Sequence, residues 1–136
     1  MHIPKYYREE DQDKIVEFLK ANSFPAIVSS DGEKLLATHL PVEVIENADG
    51  SLTVLGHMSR ANPQWKSFGE QEVLLIFQGA HTYISPRWYN HVNVPTWNYI
   101  NVHVEGISII NNDPDAIKKS MIEMTRFLET SDTPFV

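Results

Sequence analysis

The stretch GHMSRANPQW (residues 56–65) gathers a hydroxyl, a guanidinium, an imidazole and a carboxamide into one short segment. Gly56, His57 and Met58 close an apolar run, and Ser59, Arg60 and Asn62 open a helical turn that Pro63 helps to start. Backbone N–H groups left free at such a start, with the Ser59 hydroxyl and the Arg60 guanidinium, suit a phosphate dianion. Each charge-assisted bond of this kind contributes about 1.5–3 kcal/mol. The plainer alternative is a Ser or Asn cap beside a solvated Arg, a common arrangement at strand–helix junctions.

A second chemically loaded stretch is FQGAHTYISPRWYN (residues 77–90). The apolar run VLLIF leads into Gly79, His81 and Tyr83, and a Ser85-Pro86 step then precedes Arg87, Trp88 and Tyr89. Trp97 and Tyr99 follow within a few residues. Such rings fit a core or a dimer interface, where they are enriched. They also fit the rim of a planar ligand, with Thr96 and Asn98 offering hydrogen bonds to its polar edge. A ligand bound between subunits would satisfy both readings.

Other chemistries find less support. His39, His57, His81 and His103 lie on or beside predicted strands, but no H-x-H or H-E-x-x-H spacing, no Cys and no suitably spaced acid accompanies them. No metal site is expected, and a strand histidine such as His103 reads as a structural or interface residue. Ser85 precedes Pro86 and no G-x-S-x-G, P-loop or G-x-G-x-x-G occurs, so no nucleophilic triad can be argued. Any demanding chemistry would come from a cofactor, with His39 and His57 as the acid–base candidates.

The elements that must position these groups follow from periodicity and turn chemistry. DQDKIVEFLKAN sets Ile15, Phe18 and Leu19 on one helical face, with acids early in the segment. FPAIVSS, DGEKLLATHLPVEVIE and SLTVLGHM read as strands joined by Asp-Gly turns at Asp31-Gly32 and Asp49-Gly50. If Asp49-Gly50 is a two-residue turn, paired positions sum to about 99. His39 then lies near Arg60 and Pro41 near Met58, so THLP and HMSR share one end of the sheet, within a residue or two of slack. EVLLIFQG predicts a strand buried on both faces, HTYIS a separate short one, and residues 86–96 a loop. WNYINVHVEGISII alternates, Ile100, Val102 and Val104 pointing one way and Asn101, His103 and Glu105 the other. A last helix begins with Asp113 as N-cap and Pro114 at its first position, carrying a stripe of Ile117, Met121, Met124 and Leu128; SDTPFV reads as a frayed tail. About six strands with a helix at each end predict a mainly β fold, a small antiparallel barrel with flanking helices.

Composition narrows the class. The chain has 136 residues, enough for the one domain expected over its whole length. A net charge of -7 and a pI near 5.2 argue against an electrostatic grip on nucleic acid. The absence of cysteine fits a reducing compartment, and neither a signal peptide nor a membrane span is recognisable, so a soluble cytoplasmic protein is expected.

Four ordered motifs, ATHLPVEV, GHMSRANPQW, FQGAHTYISPRWY and VPTWNYINVHVEG, resemble those of the PaiB-like family of FMN-binding negative transcriptional regulators. The resemblance also takes in the N-terminal helix and runs to about Gly106. It implies the FMN-binding split barrel, a six-stranded, antiparallel, Greek-key-like barrel related to pyridoxamine-phosphate oxidases. It further implies a homodimer with two flavin sites at the subunit interface. Carried over by motif, Ser59 and Arg60 resemble the phosphate clamp, with Asn62 nearby, and His57 is a further cofactor-binding candidate. Thr38, His39, Leu40 and Met58 would lie along the isoalloxazine, and Tyr83, Ser85, Trp97 and Asn98 would come from the same or the partner subunit. Two departures stand out: the family's C-terminal segment with a K-x-K-L-S-Q-N-like motif is expected to be absent, and Ser59 stands where Ala is more usual.

Three functions follow as expectations. The first is a flavin-binding dimer acting as an indirect negative regulator, since direct DNA binding is not expected of an acidic chain lacking a recognition helix. The second is a flavin-dependent oxidoreductase on a small substrate. The third is a haem-binding split barrel with a histidine on the iron.

Overall fold

Asp11 starts the first helix by accepting hydrogen bonds from the N–H groups of Asp13 and Lys14, at 3.0 and 3.4 Å. This satisfies donors that a helix start leaves free. In the computed structural model, which describes residues 1–129, helix α1 then runs over Gln12–Ala21 and buries Val16 and Leu19. Strands follow as β1 (Ala26–Ser30), β2 (Leu35–His39), β3 (Val42–Glu46) and β4 (Leu52–Gly56). A 3-10 helix, Pro63–Ser67, precedes the long strand β5 (Glu72–Ile84). A further one, Pro86–Trp88, precedes β6 (Thr96–Ile107), and α2 (Pro114–Leu128) closes the described chain with Asp113 as its cap. The tail SDTPFV lies outside the described residues.

The fold is mainly β, as expected. Its six strands form an antiparallel sheet in the order β2-β1-β5-β6 and a two-stranded sheet of β3 and β4. This arrangement is consistent with a split barrel, although no ladder closes the two sheets into a ring among the described residues. Leu19, Leu40, Val42, Val44, Val73, Leu75 and Phe77 form the core, with Ile15, Phe18 and Met58 packed against it. Each such buried side chain contributes about 1.5–3 kcal/mol.

Three expectations need correcting in detail. The β3–β4 register is one residue shorter than a two-residue turn predicts, with Val42 opposite Gly56 and Glu46 opposite Leu52. The cause is a wider turn: Asn47 N–H bonds Ser51 O at 2.9 Å, and Gly50 N–H bonds Asn47 O at 3.0 Å. Secondly, THLPVEV is not one strand. His39 pairs with Ala26 in one sheet, and Leu40 and Pro41 carry the chain across to β3 in the other. Thirdly, HTYIS is no separate strand but the continuation of β5 past a bulge, since Gln78 faces Asn101 while His81 already faces Tyr99.

That bulge decides which side chains meet. One extra residue keeps Gln78, His81 and Tyr83 on a single face with Asn101, Tyr99 and Trp97, where plain alternation would have turned His81 away. Gly79 sits inside it, and a Cβ there would stand 2.6 Å from Phe18 Cε2 and 3.2 Å from Ile100 O. Only glycine lets α1 close on the sheet at this point. At the other end, the stripe on α2 is covered only in part: Met124 is buried, while Met121 and Leu128 are more than half exposed.

Candidate functional site

Two groups of side chains carry the site chemistry, and each owes its position to a different local device. The first surrounds residues 57–65. Ser59 forms the turn after β4: its Oγ accepts from Ala61 N–H at 3.2 Å and its carbonyl from Asn62 N–H at 2.9 Å. Trp65 holds the next residue by donating its indole N–H to Arg60 O at 2.9 Å. Asn62 caps the 3-10 helix through Oδ1, which accepts from Gln64 N–H at 3.0 Å, while its Nδ2 donates to Thr38 Oγ1 at 2.9 Å. The Arg60 side chain is exposed and makes no hydrogen bond among the described residues.

Beneath this loop lies a residue that sequence reasoning passed over. Gln64 is 2% exposed. Its Nε2, with two protons to give, lies 3.0 Å from Ile27 O and Ser29 Oγ and 3.2 Å from Leu36 O, so that one proton is shared. Its Oε1 accepts from Thr38 Oγ1. The buried Ser67 donates to Gln64 O at 2.7 Å and lies 2.6 Å from Ser29 Oγ. A single buried amide thus ties the 3-10 helix to β1 and β2. Its only trace in the sequence is a polar residue between Pro63 and Trp65, in an element too short to show periodicity.

The second group occupies the arm of β5 and β6 beyond the bulge. Trp97 donates its indole N–H to His81 Nδ1 at 3.1 Å, and the two rings stack with centroids 5.8 Å apart. Since Nδ1 accepts here, His81 carries its proton on Nε2 in this arrangement. Tyr83 lies against the same indole at 6.2 Å. A shallow cleft of about 450 Å³ is lined by Met1, Gln78, His81, Trp97, Tyr99 and Asn101. Trp97 and Tyr99 are each more than half exposed, and Asn101 Oδ1 is buried without a hydrogen-bond partner.

The expected site residues therefore fall into distinct environments. Thr38, Asn62, Ser59 and Arg60 converge as the shared-end argument requires, although the link is a Thr38–Asn62 hydrogen bond and not a ladder between His39 and Arg60. His39 is exposed and stacks on Phe24 at 6.1 Å. Leu40 is buried in the core, Met58 packs against it, and His57 is half-buried beyond the end of β4. Ser85 caps the 3-10 helix Pro86–Trp88 by accepting from Arg87 N–H at 3.2 Å. Tyr83, Trp97 and Asn98 stand on the arm, with Asn98 opposite Thr82 and exposed. No hydrogen bond or ring contact joins the arm to residues 57–62 within one chain among the described residues. The same residues contain no cluster of three metal-binding side chains, and no helix among them is long and apolar enough to cross a membrane.

The donor set fits a phosphate monoester. The Ser59 hydroxyl proton, the Arg60 guanidinium and one N–H of Asn62 are donors that make no hydrogen bond among the described residues, the kind of group that binds a phosphate.

Comparison with known proteins agrees with this chemistry. A family described as "Putative FMN-binding domain" matches residues 1–135. The chain is 36% identical over 135 residues to a Bacillus subtilis protein named protease synthase and sporulation protein PAI 2. That match takes in 98% of this chain and 65% of the relative. It is also 32% identical over 98 residues to an uncharacterised protein of Saccharomyces cerevisiae, covering 67% of this chain and 58% of the relative. The chain thus spans less than two thirds of the length of the curated relatives it matches.

Proposed function

This chain belongs to the PaiB-like FMN-binding family, and on that footing we propose that it binds flavin mononucleotide between two copies of itself. The observation that carries the reading is the exposed, unengaged Arg60 guanidinium beside the Ser59 hydroxyl, on a loop already fixed by Trp65 and Asn62. In this reading Ser59, Arg60 and Asn62 hold the phosphate, while His57, Thr38 and His39 border the ring. Bound flavin would supply one- or two-electron chemistry at its ring. The protein's own residues bind and orient it.

The dimer reading rests on the arm. Tyr83, Trp97, Tyr99 and Ile100 are all more than two fifths exposed, and β6 is an edge strand with a free side. Exposed rings on an unpaired edge favour a partner. A second copy would bring Tyr83, Ser85, Trp97 and Asn98 to the flavin that the first copy's loop holds. This accounts for two half-sites that do not touch within one chain.

The biological role we infer is negative regulation, in the cytoplasm and without a direct grip on DNA, because a net charge of -7 repels a phosphate backbone. The name of the Bacillus subtilis relative, a protease synthase and sporulation protein, supports a role in the control of such a process. Adding FMN to the purified protein and following absorbance and native mass tests the reading. A dimer that takes up one flavin per chain is expected; a monomer that ignores FMN overturns it.

A further inference from the structure

The 18 acids of the chain avoid the two regions that a dimer would bring together. Residues 73–104, which contain the whole arm, hold no Asp or Glu, and neither do residues 50–69, which contain the loop. The cations in these stretches are Arg60, Lys66 and Arg87, and the arm adds His81 and His91. In a chain of net charge -7 most of the surface repels a second copy, and an acid-free arm does not. The same composition leaves a charge on an arm histidine without a carboxylate to meet it.

His81 is the histidine placed to feel this. The Trp97 indole N–H can only donate, so His81 Nδ1, 3.1 Å away, is an unprotonated acceptor. An imidazolium carries a proton on both nitrogens and cannot keep that bond. The groups facing His81 are Gln78 and Tyr83 on β5, Trp97, Tyr99 and Asn101 on β6, and Met1. Of these the two phenols and the Met1 amino group titrate, and none is an anion at neutral or mildly acidic pH. Stacking of an imidazolium on the indole returns about 0.5–1 kcal/mol while the pair is exposed. In the proposed interface water is withdrawn, and a cation without a counter-charge is there the larger, unfavourable effect.

We propose that His81 is a proton-sensitive latch on the arm: neutral, it holds Trp97 in place for a second copy, and protonated, it releases Trp97 and weakens the dimer. The inference rests on the dimer reading above and adds its regulation. Because the dimer opposes the charge on His81, this contribution is present above the range in which histidine titrates, about pH 5–8, and is lost as pH falls through it.

The experiment compares wild-type protein with His81→Asn, whose Oδ1 replaces Nδ1 as the acceptor and does not titrate. Two readouts are followed from about pH 8 to about pH 5.5. One is the dimer dissociation constant from sedimentation; the other is the Trp97 indole N–H resonance, identified by its loss in Trp97→Phe. In the wild type the resonance should shift across the range and the dissociation constant rise about tenfold on acidification. In His81→Asn the resonance should stay in place and the constant change by less than about threefold. A stationary wild-type resonance overturns the proposal, and so does a dissociation constant that ignores pH or responds equally in both proteins. A chain that is monomeric at every pH removes the dimer reading and this proposal with it, whatever the resonance does.

Discussion

The knot beneath the loop is built from polar side chains and the arm beyond the bulge largely from rings, and the two differ in what they lack. In the knot, Ser29, Thr38, Asn62, Gln64 and Ser67 answer one another, and every buried donor found there has an acceptor within the chain. On the arm, Tyr83, Trp97 and Tyr99 remain exposed, and Asn101 Oδ1 is buried without a partner. A self-sufficient network stabilises and orients. An unfinished one leaves room for something from outside, which in the proposed function is a second chain and a flavin.

The comparison can be broken at either end. The largest effect is expected from Gln64→Leu, which strands the Ile27 and Leu36 carbonyls and the Thr38 hydroxyl in the interior. It should lower stability by about 3–5 kcal/mol, read as a shift in urea midpoint. Gly79→Ala comes next, because its Cβ would press on the Phe18 ring at 2.6 Å and near Ile100 O at 3.2 Å. Overpacking of this kind costs about 1–3 kcal/mol, and thermal denaturation would show it. Trp97→Ala sharpens the contrast from the arm side: a loss in chain stability below about 1 kcal/mol is expected, because the residue is exposed. The dissociation constant of the proposed dimer should nevertheless rise about tenfold, as for an interface aromatic, measured by sedimentation.

The smallest effect belongs to the β3–β4 turn. The Ser51 hydroxyl and then the Ser51 N–H hold the Asp49 carboxyl below its ordinary range. A group whose folded pKa is depressed stabilises above its unfolded value and loses that contribution as pH falls through the folded one. Asp49→Asn should therefore flatten the acid end of a plot of thermal midpoint against pH and leave the neutral end almost unchanged. The group is fully exposed, so the change will be slight.

Much of the fold was legible because local signals agreed with tertiary packing. Asp113 caps the helix it was expected to cap, and of the run EVLLIFQG, expected to be buried on both faces, Val73, Leu75 and Phe77 are buried in the core while Leu74 and Ile76 are half-buried. The register of β3 and β4 was misjudged because Asp-Gly is a signal for a two-residue turn, whereas here Asn47 and Ser51 close a wider one. The joining of HTYIS to β5 was missed because a bulge depends on the partner strand, and a single strand's sequence does not contain its partner. The loop at residues 59–62 was legible from residue types alone. Gln64 was not, since the burial of a polar side chain depends on acceptors supplied by Ile27 and Leu36, more than twenty positions away.

The central claim is that Arg60, on a loop held from below, binds the phosphate of FMN. Its most direct test is the FMN dissociation constant of Arg60→Ala beside that of the wild type, from quenching of flavin fluorescence. The variant should keep its fold and mass and lose about ten- to a hundredfold in affinity, the worth of a charge-assisted contact. Equal affinity in the two proteins would contradict the account and move the phosphate to another part of the molecule.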